Sequence, residues 1–224
     1  MSKKILVIGA GYVGLITGVG YAKLGHSVDC FDVDEKKLEQ INRKKPPFYE
    51  PGLQEELNDL VGVRLFTKKS LVSEFDYDVA FICVGTPSAE DGSANLSFLR
   101  AAAESIAVEL KQGKYTSIIV KSTVPPGTTQ WLAPLIEQAS GKKLGKEFGL
   151  GMMPEFLREG SALKDFFEPD RIVIGAIDDK TRALLRELHK DAKCSILETN
   201  ATTAETIKYA SNAFLATKLS FINE

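Results

Sequence analysis

Apolar residues come in short blocks separated by longer amphipathic stretches. Ile5-Leu6-Val7-Ile8 is a β-rich run ending in glycine, and a helical pattern follows from Tyr12 to Leu24. Gly25-His26 turns the chain, and Ser27–Phe31 reads as a second strand. Strand, tight turn, helix and strand within about 30 residues is the size of a βαβ unit. Asp34 is placed to N-cap a helix reaching Asn42, since a carboxylate accepts from the free N–H groups of a first turn. Pro46, Pro47 and Pro51 mark residues 44–51 as a loop. Further strands are predicted at Val63–Phe66, Asp78–Val84, Ser117–Val120, Phe148–Met152, Arg171–Ala176 and Cys194–Glu198. Helices are predicted between them, notably Leu96–Leu110, Thr128–Ala139 and Asp179–Lys190. Val79–Val84 is apolar throughout, as strands covered on both faces are. The alternation predicts an α/β fold with a doubly wound, mostly parallel sheet over residues 1–199. Thr202–Glu224 has no glycine or proline and is apolar around much of its circumference. It predicts one long, buried helix. No stop signal follows it, so residues 200–224 are expected to be the start of a helix that continues.

Composition narrows the classes. The chain has 224 residues, 44% hydrophobic and 26% charged, as in ordinary globular proteins. Its 28 basic and 30 acidic residues give a net charge of −2, which offers no basic surface for nucleic acid or an anionic membrane. Cys30, Cys83 and Cys194 are widely spaced, and only His26 and His189 join them. That pattern argues against a metal site or a disulfide framework and fits a reducing cytoplasm. Ile5–Ala22 carries no charge and has the length of a membrane span or signal segment. Its five glycines, at 9, 11, 14, 18 and 20, argue against a continuous helix, since each costs about 1 kcal/mol relative to alanine.

Those glycines make Gly9-Ala-Gly11-Tyr12-Val13-Gly14, which follows a strand, opens a helix and has Asp32 at the end of the next strand. In that context the pattern is a dinucleotide-binding fingerprint. Gly9 permits the turn, Gly11 admits a pyrophosphate, and Gly14 lets helix and strand pack closely. The helix start offers N–H groups to the phosphates. Asp32 would accept from the ribose hydroxyls and repel a 2′-phosphate, favouring NAD over NADP.

Four more constellations sit at strand ends or on the tail helix. Cys83-Val-Gly-Thr86-Pro-Ser88 would place Thr86 and Ser88 at the cofactor cleft, or is a plain Gly-Pro turn, with Cys83 as core filler. Lys121–Thr128 holds Thr123 on a stiff Pro-Pro-Gly loop, where it orients a water or a carboxamide or simply leads into the helix. Pro154-Glu155-Phe156-Leu157-Arg158-Glu159-Gly160 sets two carboxylates beside an arginine. These are a general base or water holder, or a solvated turn with a local Arg–Glu pair. Lys208 and Asn212, at i and i+4, share one helix face. They stabilise an oxyanion, or the lysine snorkels to solvent.

Taken together, these segments resemble the UDP-glucose/GDP-mannose 6-dehydrogenase family. GAGYVG at 9–14, FDVD at 31–34, YEPGL at 49–53, CVGTP at 83–87, KSTVPPGT at 121–128, PEFLREG at 154–160 and PDRIVIG at 169–175 occur in the family's order. The tail ETIKYASNAFLATKLSFINE continues the match, which looks closest to the UDP-glucose 6-dehydrogenase branch. The resemblance implies a Rossmann-type NAD domain followed by a long central helix, a homodimer through that helix, and a second domain for the nucleotide. It implies oxidation of a nucleotide-sugar C6 alcohol, UDP-glucose first among candidates, to a carboxylate with two NAD. A cysteine forms the thiohemiacetal and then the thioester. By the same resemblance Gly9, Gly11, Tyr12, Val13, Gly14, Asp32, Lys37, Thr86, Ser88, Thr123 and Glu159 serve NAD. Glu155 assists thioester hydrolysis, Thr123 orders a water, and Lys208 with Asn212 polarises the C6 oxygen. Phe156, Leu157 and Arg158 complete the substrate side.

Two departures matter. Met153 stands where many members have Asn. The family's Gly-rich Cys-Pro-Lys-Asp segment does not occur within these residues, nor does the nucleotide domain. The chain alone is therefore expected to bind NAD without completing the reaction. UDP-N-acetylmannosamine, GDP-mannose and a non-catalytic NAD module remain alternatives. A β-hydroxyacid dehydrogenase is disfavoured by YEPGL and PEFLREG.

Overall fold

The computed structural model describes residues 1–71, 75–110 and 114–224. Eight strands form one sheet in the order β3-β2-β1-β4-β5-β6-β7-β8. They are β1 (Lys4–Ile8), β2 (Ser27–Phe31), β3 (Leu65–Lys68), β4 (Val79–Ile82), β5 (Thr116–Val120), β6 (Phe148–Met152), β7 (Arg171–Ala176) and β8 (Ser195–Thr199). β1 to β6 are parallel, β7 pairs antiparallel to β6, and β8 runs parallel to β7. The strand order reverses between β1 and β4, and ligands of such sheets sit beyond the strand ends at that switch point.

Helices α1 (Tyr12–Lys23), α2 (Glu35–Asn42), α3 (Leu53–Leu60), α4 (Ser97–Leu110), α5 (Thr128–Ser140), α6 (Ala162–Phe167), α7 (Asp179–Leu188) and α8 (Ala201–Asn223) flank the sheet. One core, with Leu15, Ile16, Leu57 and Leu185, lies under α1, α3 and α7. The other, with Leu99, Ile106, Leu132 and Ala204, lies under α4, α5 and α8. Asp34 caps α2 as predicted, accepting from the N–H of Lys36 at 3.0 Å and of Lys37 at 3.4 Å. The uncharged 5–22 stretch is β1, a turn and α1. No helix among the described residues is long and apolar enough to cross a membrane.

The structure corrects three expectations. β3 begins two residues later than the apolar pattern suggests. Gly62, at φ +83°, starts a turn in which the N–H groups of Val63 and Arg64 both reach the Leu60 carbonyl. α3 and α6 are further helices in segments the periodicity does not single out. Finally, α8 is buried only over its first turns, at Ala201, Ala204, Glu205 and Lys208. Phe214, Leu215, Leu219, Phe221 and Ile222 are exposed, because no other described element packs on that end.

Candidate active site

The dinucleotide end is built from backbone. Gly9 turns the chain at φ +93°, a conformation that favours glycine. A Cβ on Gly14 would sit on the Gly9 carbonyl oxygen, and one on Gly9 would lie 2.6 Å from the Cys83 carbonyl oxygen. Both glycines are therefore required by packing. Gly11 is different. A Cβ there meets nothing within 4 Å, so packing does not demand its small size and the space above it is open. It also has no side chain to cap α1, and the first N–H groups of a helix lack intrahelical acceptors. The phosphates of a dinucleotide fit this cradle.

Asp32 is held ready beside it. Its Oδ2 accepts from the Ala10 N–H at 2.7 Å and from Lys37 Nζ at 3.0 Å, and its Oδ1 from the Asp34 N–H at 2.9 Å. A carboxylate offers about four accepting positions, which leaves capacity for ribose hydroxyls. Lys37 is thus a partner of Asp32. Across the switch point, Thr86 Oγ1 donates to the Thr123 carbonyl at 2.7 Å. Ser122 Oγ donates to the Val84 carbonyl at 2.6 Å. These bonds lock the β4 and β5 loops together. Ser88 is exposed, and Thr123 lies five residues before α5, so it does not cap that helix. Its hydroxyl has no partner among the described residues.

The other end of the candidate site is built from charges. A cavity of about 420 Å³ is lined by Lys121, Glu155, Phe156, Arg171, Lys208 and Asn212, together with Leu157 and Arg158. All of the residues expected on the substrate side meet there. Thr123, Glu159 and the glycine loop do not line it. Glu155 Oε1 lies 2.8 Å from Lys208 Nζ, with both side chains largely buried. Glu155 Oε2 accepts from the Leu157 N–H at 2.6 Å. Lys208 therefore does not snorkel, and Glu155 is not in a local pair with Arg158. Arg158 is bound instead by Asp165, with its Nη2 2.6 Å from Oδ1. That pairing holds the Asp165 carboxyl below the usual range. Asn212 is exposed one turn beyond Lys208.

Three members of this region are missed by sequence reasoning. Lys121 directly follows β5, is 5% exposed, and has no side-chain hydrogen bond or ion pair among the described residues. Burial pushes its pKa down, with Lys208 adding to the effect and Cys83 and Glu155 opposing it. A lysine closing the apolar run Ser117–Val120 was the available signal. His189 lines the cavity too. Its Nδ1 faces the Leu185 carbonyl at 2.8 Å and its Nε2 the Tyr21 hydroxyl at 3.1 Å. A carbonyl only accepts, so Nδ1 carries the proton and Nε2 is left to accept. Burial lowers the pKa of His189 to about 4. Glu205, on α8, is fully buried. Its Oε1 accepts from the Thr129 N–H at 2.7 Å, and its Oε2 accepts from the Gly127 N–H. One carboxylate thus ties the Pro-Pro-Gly loop to the helix that carries Lys208. None of the three cysteines lines the cavity. Cys83 sits in the core with its thiol pushed up to about 12 by burial.

Comparison with known proteins bears on the family and the fold. Residues 3–193 match the NAD-binding domain of the UDP-glucose/GDP-mannose dehydrogenase family. The chain is 45% identical over 222 residues to the UDP-glucose 6-dehydrogenase YwqF of Bacillus subtilis, covering 98% of this chain and 50% of that protein. The structure of a UDP-glucose dehydrogenase from Pyrobaculum islandicum matches with a TM-score of 0.93 at 42% identity, over 99% of this chain and 51% of that one. A GDP-mannose dehydrogenase of Pseudomonas aeruginosa, solved as a ternary complex, gives 0.95 at 38% identity, over 98% of this chain and 51% of that one. The chain spans about half the length of the curated relatives it matches. It belongs to the UDP-glucose/GDP-mannose dehydrogenase family and carries that family's NAD-binding domain.

Proposed function

We propose that this chain is the cofactor half of an NAD-dependent nucleotide-sugar 6-dehydrogenase, with UDP-glucose as the leading substrate. The observation that carries the reading is the buried Glu155–Lys208 pair, 2.8 Å apart, facing a cavity next to an NAD domain. When bound, NAD supplies the hydride acceptor. Gly9, Gly11, Tyr12, Val13, Gly14, Asp32, Lys37, Thr86 and Ser88 hold it, with Thr123 and Glu159 at its nicotinamide end. Lys208 and Asn212 donate to the C6 oxygen of the sugar as charge develops on it. Glu155, freed as Lys208 turns to the sugar, holds a water for the hydrolytic step. Phe156, Leu157 and Arg158 shape the sugar side.

The nucleophile comes from outside residues 1–224. Residues 200–224 are the start of a central helix through which two copies dimerise, and the exposed Phe214, Leu215, Leu219, Phe221 and Ile222 support that placement. A reducing, cytoplasmic setting suits the free Cys30, Cys83 and Cys194. GDP-mannose is the second reading. It is supported by the likeness to a GDP-mannose dehydrogenase, at a TM-score of 0.95 and 38% identity. The test is NADH formation from UDP-glucose, GDP-mannose and UDP-N-acetylmannosamine, with the 224-residue chain and with a full-length enzyme containing it. The reading expects turnover of UDP-glucose by the longer enzyme alone. Steady turnover by the 224-residue chain, or preference for another sugar, contradicts it.

A further inference from the structure

The YEPGL segment found in the sequence has so far no part in the site. Its Glu50 is 4% exposed, and no cation pairs with it among the described residues. Backbone and hydroxyl donors meet its charge instead. Glu50 Oε1 accepts from the Ala162 N–H at 2.7 Å. Its Oε2 accepts from the Gly160 N–H at 2.9 Å and from the Tyr12 hydroxyl at 2.7 Å. The Tyr12 oxygen also lies 3.1 Å from the Arg158 carbonyl, and its ring packs on Phe48 at 4.9 Å between centroids. Burial and the neighbouring Glu50 carboxylate raise the Tyr12 pKa, so the hydroxyl keeps its proton and remains the donor.

The positions of these donors give the arrangement a consequence. Tyr12 is the first residue of α1, directly after Gly11, where the pyrophosphate approaches. Gly160 closes the loop that carries Glu155 and Glu159. One buried carboxylate therefore bonds the dinucleotide loop and the acidic loop at once. A buried charge of this kind cannot release one donor without a large penalty, so the two loops move together or not at all.

We infer that Glu50 is a positioning residue that couples NAD binding to the placement of the 155–160 loop through the Tyr12 hydroxyl. NAD that fixes Tyr12 then also fixes Gly160 and the carboxylates before it, and the coupling acts in both directions. The inference rests on the proposed assignment of that loop to the reacting end.

The test is amide hydrogen exchange of the 224-residue chain with and without saturating NAD, for the parent, Tyr12→Phe and Glu50→Gln. In the parent, NAD should slow exchange at Gly160 and Ala162 by about fivefold or more, the lower range of allosteric couplings. In Tyr12→Phe, with NAD raised until the variant is as fully occupied as the parent, the slowing should shrink below about twofold, since the coupling bond is gone. A merely structural role would change exchange equally with and without NAD. If Glu50→Gln does not fold, Tyr12→Phe decides alone. Equal slowing in parent and Tyr12→Phe overturns the inference, as does saturable NAD binding with no slowing in the parent. Absence of NAD binding in the parent would instead overturn the cofactor reading.

Discussion

The two ends of the site are made by different means. At the dinucleotide end, the turn at Gly9, the close packing at Gly14 and the open space above Gly11 are all main-chain features within six residues. At the proposed reacting end, several key groups are fixed by partners far along the chain. Glu155 is held by Lys208, the Pro-Pro-Gly loop by Glu205, and Gly160 by Glu50. The first end tolerates little change in backbone but has few charges to protect. The second depends on buried carboxylates, each of which leaves several donors orphaned if removed.

The comparison can be broken most severely at the Glu155–Lys208 pair. Lys208→Met should destabilise the chain by about 3–5 kcal/mol, because it strands a buried carboxylate. Urea unfolding at neutral pH measures this, and a loss under about 1 kcal/mol would mean the pair is solvated. Glu205→Ala should cost about 3 kcal/mol, since the Gly127 and Thr129 N–H groups lose their acceptor. The same unfolding experiment reads it, and a neutral result would detach the 121–129 loop from α8.

A pH series sharpens the contrast. The folded pKa of His189 is about 4 against 6.5, so between these values the unfolded chain binds more protons. Stability from this group is complete above pH 6.5 and falls as pH drops toward 4. The ring edge meets the cavity, so the loss is about 2 kcal/mol rather than the full shift. Denaturation from pH 7 to 4 should show that slope and lose it in His189→Asn. A slope unchanged by the substitution would assign it to the carboxylates.

The smallest effect is expected at the other end. Asp32→Ala should weaken NAD binding about tenfold, or 1.4 kcal/mol, and weaken NADP less. Calorimetric titration checks it, and equal losses for both cofactors would mean that Asp32 serves only the Ala10 turn.

Legibility in the sequence follows the same division. β1, α1 and β2 are readable because glycine spacing and an apolar strand are local demands. α6 is not, because Ser161 makes no side-chain cap to its N-terminus and Glu50, 112 residues away, meets the Ala162 N–H instead. α3 is preceded by an N-cap glycine, Gly52, at φ +81°, straight after a proline-rich loop, which hides its onset. The residue types of the reacting end are visible as Glu155, Lys208 and Asn212, but their partners are not. The motif leaves open a local Arg–Glu pair, whereas Arg158 binds Asp165 and Glu155 binds Lys208. The burial of Lys121 is hidden for the same reason, since it is decided by elements that arrive later in the chain.

The most direct test of the whole account is titration of the unmodified 224-residue chain with NAD and with NADP. The account predicts saturable binding of one NAD per chain, tighter than NADP, because the glycine cradle and Asp32 are already in place. No saturable NAD binding, or tighter binding of NADP, would contradict it.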